Sequence, residues 1–223
     1  MVYVGTDPGY RRLVPNPVGE RNQMSNGHYF DSDPVAGSRR REVPLVLPDL
    51  TVSLQTDAGV FSGDRIDAGT KLLLLEAPHP PATGELLDLG CGYGPIAISL
   101  ARRAPEARIW AVDVNRRARA LTVANAERAG VPNVTVCAPD DVPDGIRFAA
   151  VYSNPPVRIG KAALHTLLLR WLARLEPGAK GYLVVHKHLG ADSLRAWLTA
   201  SDLPTDKLGS RMGYRLLEVR GAR

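Results

Sequence analysis

The chain has only two cysteines, Cys91 and Cys137, in 223 residues. Two thiols make neither a disulfide framework nor a zinc cluster, so a reducing cytoplasm is the expected setting and no metal is expected. No apolar run approaches the roughly 18 residues that a membrane-spanning helix needs, so no membrane is expected among the partners. The opening residues, MVYVGTDPGYRRLVPNP, lack the basic, apolar and small-residue order of a signal peptide. Internal repeats are absent too. What remains, 44% hydrophobic and 23% charged residues, is ordinary for a globular chain. It suffices for one α/β domain with an appendage. The formal charge of +5 permits an anionic partner such as RNA without requiring one.

Residues 1–42, rich in Pro, Gly, Asp and Arg, show no periodicity and read as a flexible basic extension before a domain over 43–223. The extension ends in Ser38-Arg39-Arg40-Arg41, with Tyr29 and Phe30 upstream. Mixed charge and aromatics suit an RNA-binding arm, and an exposed linker is the alternative. VPLVLPDLTVSLQTD alternates around Pro48-Asp49, a β-hairpin signature. GDRIDAGTKLLLLEAP suits a helix closed by Pro78. From Glu85 onward ELLDLG, RIWAVDV, NVTVCA, FAAVYS and KGYLVVHKH read as strands. GPIAISLARRA, RRARALTVANAERAG, KAALHTLLLRWLARL and ADSLRAWLTA read as helices, and DKLGS and YRLLEVR pair as a hairpin across Met212-Gly213. Strands separated by helices build parallel βαβ units, hence an open α/β sheet covered on both faces. Ligands of such sheets bind beyond the C-terminal strand ends, at the topological switch point.

The first strand of that series runs into Asp88-Leu-Gly90-Cys91-Gly92-Tyr-Gly94. Glycines let the chain turn sharply and bring backbone amides to a ligand at the next helix N-terminus. The second strand ends in Asp113, about 20 residues on, where an acid can accept hydrogen bonds from both ribose hydroxyls. A dinucleotide fingerprint reads G-x-G-x-x-G, whereas this loop reads G-x-G-x-G after an acid. A carboxylate there suits an amino-acid ammonium better than a pyrophosphate, which points to S-adenosylmethionine. A dinucleotide loop or a purely structural turn are the alternatives. Cys91 reads as a small packing residue inside the loop.

The fourth strand ends in YSNPPVRIGK. Methyl transfer from a sulfonium needs an acceptor held in line with its lone pair presented. An exocyclic amine on an aromatic ring is a poor nucleophile because that lone pair is delocalised. Two acceptors on its two N–H bonds, the Asn154 side-chain carbonyl and the Pro155 backbone carbonyl, draw the nitrogen toward tetrahedral geometry. Pro155 and Pro156 hold the corner with little conformational freedom. This is electrostatic positioning rather than general-base catalysis, so no catalytic histidine is required. A plain Asn-Pro turn is the bland alternative. Arg158 and Lys161 follow the corner as candidate phosphate contacts, or as solvated helix-start residues. His186 and His188, read as sharing one strand face, are candidate contacts or a surface pair.

In this order LLDLGCGYGPIAISLA, AVDVN and YSNPPV, preceded by GVFSGDRIDAGTKLLLL, resemble the small-domain family of class I S-adenosylmethionine-dependent methyltransferases. Within that family the chain is most similar to guanine-N2 methyltransferases of small-subunit ribosomal RNA, over roughly residues 43–220. The resemblance implies a seven-stranded, mostly parallel Rossmann-like sheet with helices on both faces and the last strand antiparallel. It implies that Asp88, Gly90, Cys91, Gly92 and Gly94 cradle the methionine part, and that Asp113, with Val114 beside it, takes the ribose. Asp140 or Asp141 should meet the adenine amine. Asn154, Pro155 and Pro156 match the catalytic tetrapeptide, with Asn154 also against the cofactor. Gly59-Val-Phe61-Ser62 and Asp67-Ala-Gly-Thr70 match the stretch flanking the cofactor. Phe61, Val157 and Arg158 fall on the substrate side. The implied partner is ribosomal RNA or a ribosomal subunit.

Two departures bear on the acceptor. Family members acting on nucleobases or glutamine usually carry Phe or Tyr where this chain has Val157, losing a stacking face. The ribosomal RNA enzymes also carry a large N-terminal domain where this chain has the short extension. A protein glutamine, a DNA adenine, a small-molecule amine, or RNA binding without turnover are therefore the alternatives.

Overall fold

The structure, a computed structural model, describes residues 39–221. Expectations for Tyr29, Phe30 and the rest of the first 38 residues lie outside the described residues.

Strands β1 (Arg41–Val46) and β2 (Thr51–Thr56) form an antiparallel hairpin. The first strand starts two residues before the expected boundary, because Arg41 and Glu42 pair with Thr56 and Gln55. Alternation puts Val43, Leu45, Val52 and Leu54 on one buried face. Its turn is held by Arg103, which grips the Asp49 carboxylate at 2.7 and 2.9 Å and donates to the Leu74 carbonyl at 2.9 Å. That fork holds the Asp49 carboxyl below its ordinary range.

Helix α1 (Ala68–Glu76) begins only after Asp67, whose carboxylate accepts from the amides of Gly69 and Thr70 at 2.8 and 3.0 Å. Residues 63–67, expected inside the helix, therefore precede it: an N-cap residue has non-helical backbone, and Asp is among the best caps. The helix ends at Ala77, extended at φ −67° and ψ 146° as a residue before proline should be.

The remaining elements alternate as expected. They are β3 (Glu85–Leu89), α2 (Pro95–Arg103), β4 (Arg108–Val112), α3 (Arg116–Ala129), β5 (Val134–Cys137) and β6 (Phe148–Ser153). Then come α4 (Lys161–Leu172), β7 (Leu175–His186), α5 (Ala191–Ala200), β8 (Thr205–Arg211) and β9 (Tyr214–Arg220). The seven strands after the hairpin lie in the order β5-β4-β3-β6-β7-β9-β8, and only β9 runs antiparallel to its neighbours. The hairpin and α1–α3 cover one face through residues such as Leu72, Ile98 and Leu121. Helices α4 and α5 cover the other through Leu168, Trp171 and Leu198.

Three further boundaries differ from expectation. Helix α4 stops at Leu172, and β7 opens with Leu175 opposite Phe148 before the pairing shifts to Ala150 opposite Lys180. Pro177-Gly178 makes the excursion between them, with Gly178 at φ 79°. Strand β7 then stops at His186, and Lys187–Leu189 form a single 3₁₀ turn. The alternation argument for a shared face of His186 and His188 fails there, although their rings lie 5.3 Å apart.

Chain order reverses between β3 and β6, so their C-terminal ends frame the switch-point crevice. The glycine loop, Asp113 and Asn154 follow β3, β4 and β6, and converge there by topology. Among the described residues no helix is long and apolar enough to cross a membrane.

Candidate active site

The amides of Gly90 and Cys91 both donate to the Val112 carbonyl, at 2.8 and 3.0 Å, tying the loop to the end of β4. Gly94 caps α2 at φ 93°, and a Cβ there would come within 3.0 Å of the Thr122 methyl. A Cβ on Gly92 would meet nothing within 4 Å. The loop is thus packed behind Gly94 and open at Gly92. Cys91 is buried, its sulfur 3.6 Å from the Thr122 hydroxyl, which itself donates to the Gly92 carbonyl at 2.8 Å.

Asp113 is held by backbone: one oxygen accepts from Gly92 N at 2.9 Å and the other from Asn115 N at 2.8 Å. Burial pushes its carboxyl up, and the amides of Asn115, Gly92 and Val114 and the Arg119 charge oppose the push. The carboxylate has lone-pair capacity for a further donor.

Asp88 is fully buried beneath the loop and does not line the cavity. One oxygen accepts from Ala97 N, in the first turn of α2, at 2.9 Å; the other has no protein partner. Burial pushes its carboxyl up to about 8, against the Ala97 hydrogen bond and with the Asp113 charge adding to the rise. In this arrangement Asp88 steadies the helix that follows the loop, from behind the ligand space.

The corner after β6 is an inverse γ-turn. Pro156 has φ −75° and ψ 69°, and Val157 N donates to the Pro155 carbonyl at 2.8 Å. One lone pair of that carbonyl closes the turn and the second is left over. The Ser153 hydroxyl donates to the Leu89 carbonyl at 2.7 Å, locking the corner to the glycine loop. The Asn154 amide nitrogen donates to Asp67 Oδ1 at 2.7 Å and to Thr70 Oγ1 at 3.0 Å. With both amide protons committed, the carbonyl oxygen is the branch left for the cavity that Asn154 lines.

That cavity has a volume of about 450 Å³. It is lined by Gly90, Cys91, Gly92, Asp113 and Val114 and also by Asn154, Pro155, Pro156, Val157, Arg158 and Phe61. Four expected residues stay outside. Asp88 lies beneath, Gly94 packs against Thr122, Asp140 pairs with Arg170 at 2.8 Å, and Asp141 accepts from Ala138 N at 3.1 Å. Pro139, at the start of the same turn, lines the cavity instead.

The wall also contains Asp67, Thr70, His186 and Tyr214. The sequence placed Asp67 and Thr70 only in a stretch flanking the cofactor, and did not single out Tyr214. The Tyr214 hydroxyl donates to Asp67 Oδ2 at 3.4 Å, and its ring stands edge-on to His186 at 4.9 Å. Burial and the Asp67 charge push the Tyr214 phenol up. The available sequence signal was the Asp-x-Gly-Thr spacing ahead of an apolar helix, which marks a cap but names no partner.

A family model described as "Methyltransferase small domain" matches residues 51–217. The chain is 34% identical over 196 residues to "Uncharacterized protein YbxB" of Bacillus subtilis, covering 86% of this chain and 98% of that one. It is 33% identical over 150 residues to "Ribosomal RNA small subunit methyltransferase C" of Shewanella halifaxensis, covering 65% of this chain and 43% of that enzyme. Among solved structures it superposes with a TM-score of 0.70, at 22% identity, on a T. Thermophilus 16S rRNA N2 methyltransferase in complex with AdoMet and guanosine. That match covers 82% of this chain and 51% of the other, so the chain spans about half the length of these two ribosomal RNA enzymes.

Proposed function

Because this chain belongs to the methyltransferase small domain family and takes its methyl group from S-adenosylmethionine, we propose that it methylates an exocyclic amine of ribosomal RNA, at guanine N2. The observation that carries the reading is the fixed polarity of Asn154, with its amide protons on Asp67 and Thr70 and its oxygen left for the cavity.

The residues present suit the cofactor. The open edge at Gly92 leaves room for the methionine part, and the spare lone pairs of Asp113 suit the ribose hydroxyls. Val114 and Pro139 offer apolar walls for the adenine. When bound, the cofactor supplies a methyl group already activated on a sulfonium. The protein's part is to hold the acceptor. One amine N–H is received by the Asn154 oxygen and the other by the free lone pair of the Pro155 carbonyl. The nitrogen would be drawn toward tetrahedral geometry, its lone pair freed for the new N–C bond. With the methyl supplied as an electrophile, the nitrogen would release one proton to water. Donors and acceptors preset before the reaction lose nothing to reorganisation, which makes such sites effective.

Ribosomal RNA is favoured by the names of the relatives and by exposed cations, Arg158 and Lys161, beside the corner. Residues 43–223 would carry the chemistry in the cytoplasm, and the basic residues 1–42 would serve as an RNA arm. The test is transfer of labelled methyl to unmodified small-subunit ribosomal RNA, free and in assembled subunits, beside DNA and protein, with mass mapping of the product. N2-methylguanosine in RNA is the expected product. Label confined to DNA adenine or protein glutamine would overturn the acceptor, and label in none of them would overturn the macromolecular enzyme.

A further inference from the structure

We infer that Asp67 is a positioning residue: it decides which end of the Asn154 amide faces the acceptor, with Thr70 and Tyr214 holding it to that task. The inference rests on the role given to Asn154 above.

An asparagine side chain can turn over with little change in shape, exchanging its oxygen for an NH₂ group. Turned over, Asn154 would offer donors to an amine that itself brings donors. The carboxylate of Asp67 forbids this, because an ionised carboxylate only accepts. In the flipped state two acceptor oxygens would face each other across 2.7 Å, where an N–H···O bond now lies. The Thr70 hydroxyl, 3.0 Å from the same nitrogen, takes the second amide proton.

Asp67 is in turn fixed from three directions. Its Oδ1 receives the amides of Gly69 and Thr70 at the start of α1, and its Oδ2 receives the Tyr214 hydroxyl. The intervening glycine has a role as well. A Cβ on Gly69 would fall 2.6 and 2.8 Å from Tyr214 ring carbons, so only glycine lets the ring lie over the turn. Each residue of Asp67-x-Gly69-Thr70 is accounted for: the acid orients and caps, the glycine admits Tyr214, and the hydroxyl shares the amide. Asp67 and Asn154 lie 87 positions apart, and Asp67 and Tyr214 147, so the clamp joins three distant segments.

The test compares Asp67→Ser, Thr70→Val, Asn154→Ala and Asn154→Asp in the full chain. Serine still caps a helix but is too short to reach Asn154. Readouts are turnover on unmodified small-subunit ribosomal RNA, calorimetric affinity for S-adenosylmethionine, and the side-chain NH₂ resonances of Asn154 by NMR. Asp67→Ser should lower kcat about 10- to 100-fold, the scale of a small misplacement, with cofactor affinity unchanged and the Asn154 resonances shifted. Thr70→Val should do the same more weakly. Asn154→Asp sets two carboxylates against each other and should lower turnover at least as far as Asp67→Ser. Asp67→Ser with wild-type kcat or unshifted Asn154 resonances overturns the inference. Full turnover in Asn154→Ala would instead bring down the reading it rests on.

Discussion

The two sides of the cavity are built differently. The side proposed for the cofactor comes from one stretch of chain, the β3–α2–β4 unit, and its Asp113 carboxylate is held by backbone amides at Gly92 and Asn115. The side proposed for the acceptor is assembled from side chains far apart in sequence, Asp67, Thr70, Asn154 and Tyr214. Backbone-held groups follow from local folding. A side-chain clamp exists only once the sheet and α1 have packed. Damage to the first side should therefore appear in cofactor affinity, and damage to the second in turnover.

The largest separation is expected at Asn154, where removing one preset hydrogen-bonding group costs about 10²–10³ in kcat. Asp113→Ala should do the converse. Losing hydrogen bonds to a charged group, at about 1.5–3 kcal/mol each, weakens calorimetric cofactor affinity while turnover at saturating cofactor changes little. Val157→Tyr sharpens the acceptor side. If the acceptor is a base, a new stacking face worth about 1–3 kcal/mol should lower KM, and an unchanged KM would argue for a non-planar acceptor. Asn125 bridges the hairpin to the loop, pairing with Gln55 N and O at 2.7 Å each and with the Tyr93 carbonyl at 2.9 Å. Asn125→Ala should cost about 1–3 kcal/mol in urea unfolding by orphaning buried backbone groups.

The last effect is a pH dependence. The Asp88 carboxyl, raised from 3.8 to about 8 in the fold, is favoured there in its neutral form. Its contribution is present in full below the unfolded value and is lost as pH rises through the folded one. Asp88→Asn removes that loss. Its stability relative to wild type should improve between pH 5 and 8, by at most about 1.4 kcal/mol per pH unit. A difference flat with pH would show Asp88 ionised throughout.

These two constructions also explain what the sequence revealed. The βαβ alternation and the glycine loop are contiguous patterns set by neighbouring residues, so they could be read directly; Asn154-Pro-Pro was legible as a rigid corner, but not the Asp67 and Thr70 contacts that fix its polarity. Asp113 could be singled out by spacing because one helix separates it from the loop, and it lies in the cavity wall. Asp67 was read only as flanking the cofactor, because its partners Asn154 and Tyr214 arrive from distant segments that the local pattern does not show. Asp140 and Asp141 were placed near the adenine by analogy. The Arg170 side chain and the Ala138 amide, which turn them away, come from α4 and from the turn itself. The late start of α1 has the same origin, since Asp67 acts as a cap and not as a helical residue.

The central claim is that Asn154 acts on the acceptor and not on the cofactor. It is tested most directly by measuring cofactor affinity and single-turnover methyl transfer on one preparation of Asn154→Ala. The expected result is unchanged calorimetric affinity with transfer reduced about 10²–10³-fold. Transfer at the wild-type rate, or a loss fully explained by weaker cofactor binding, would contradict it.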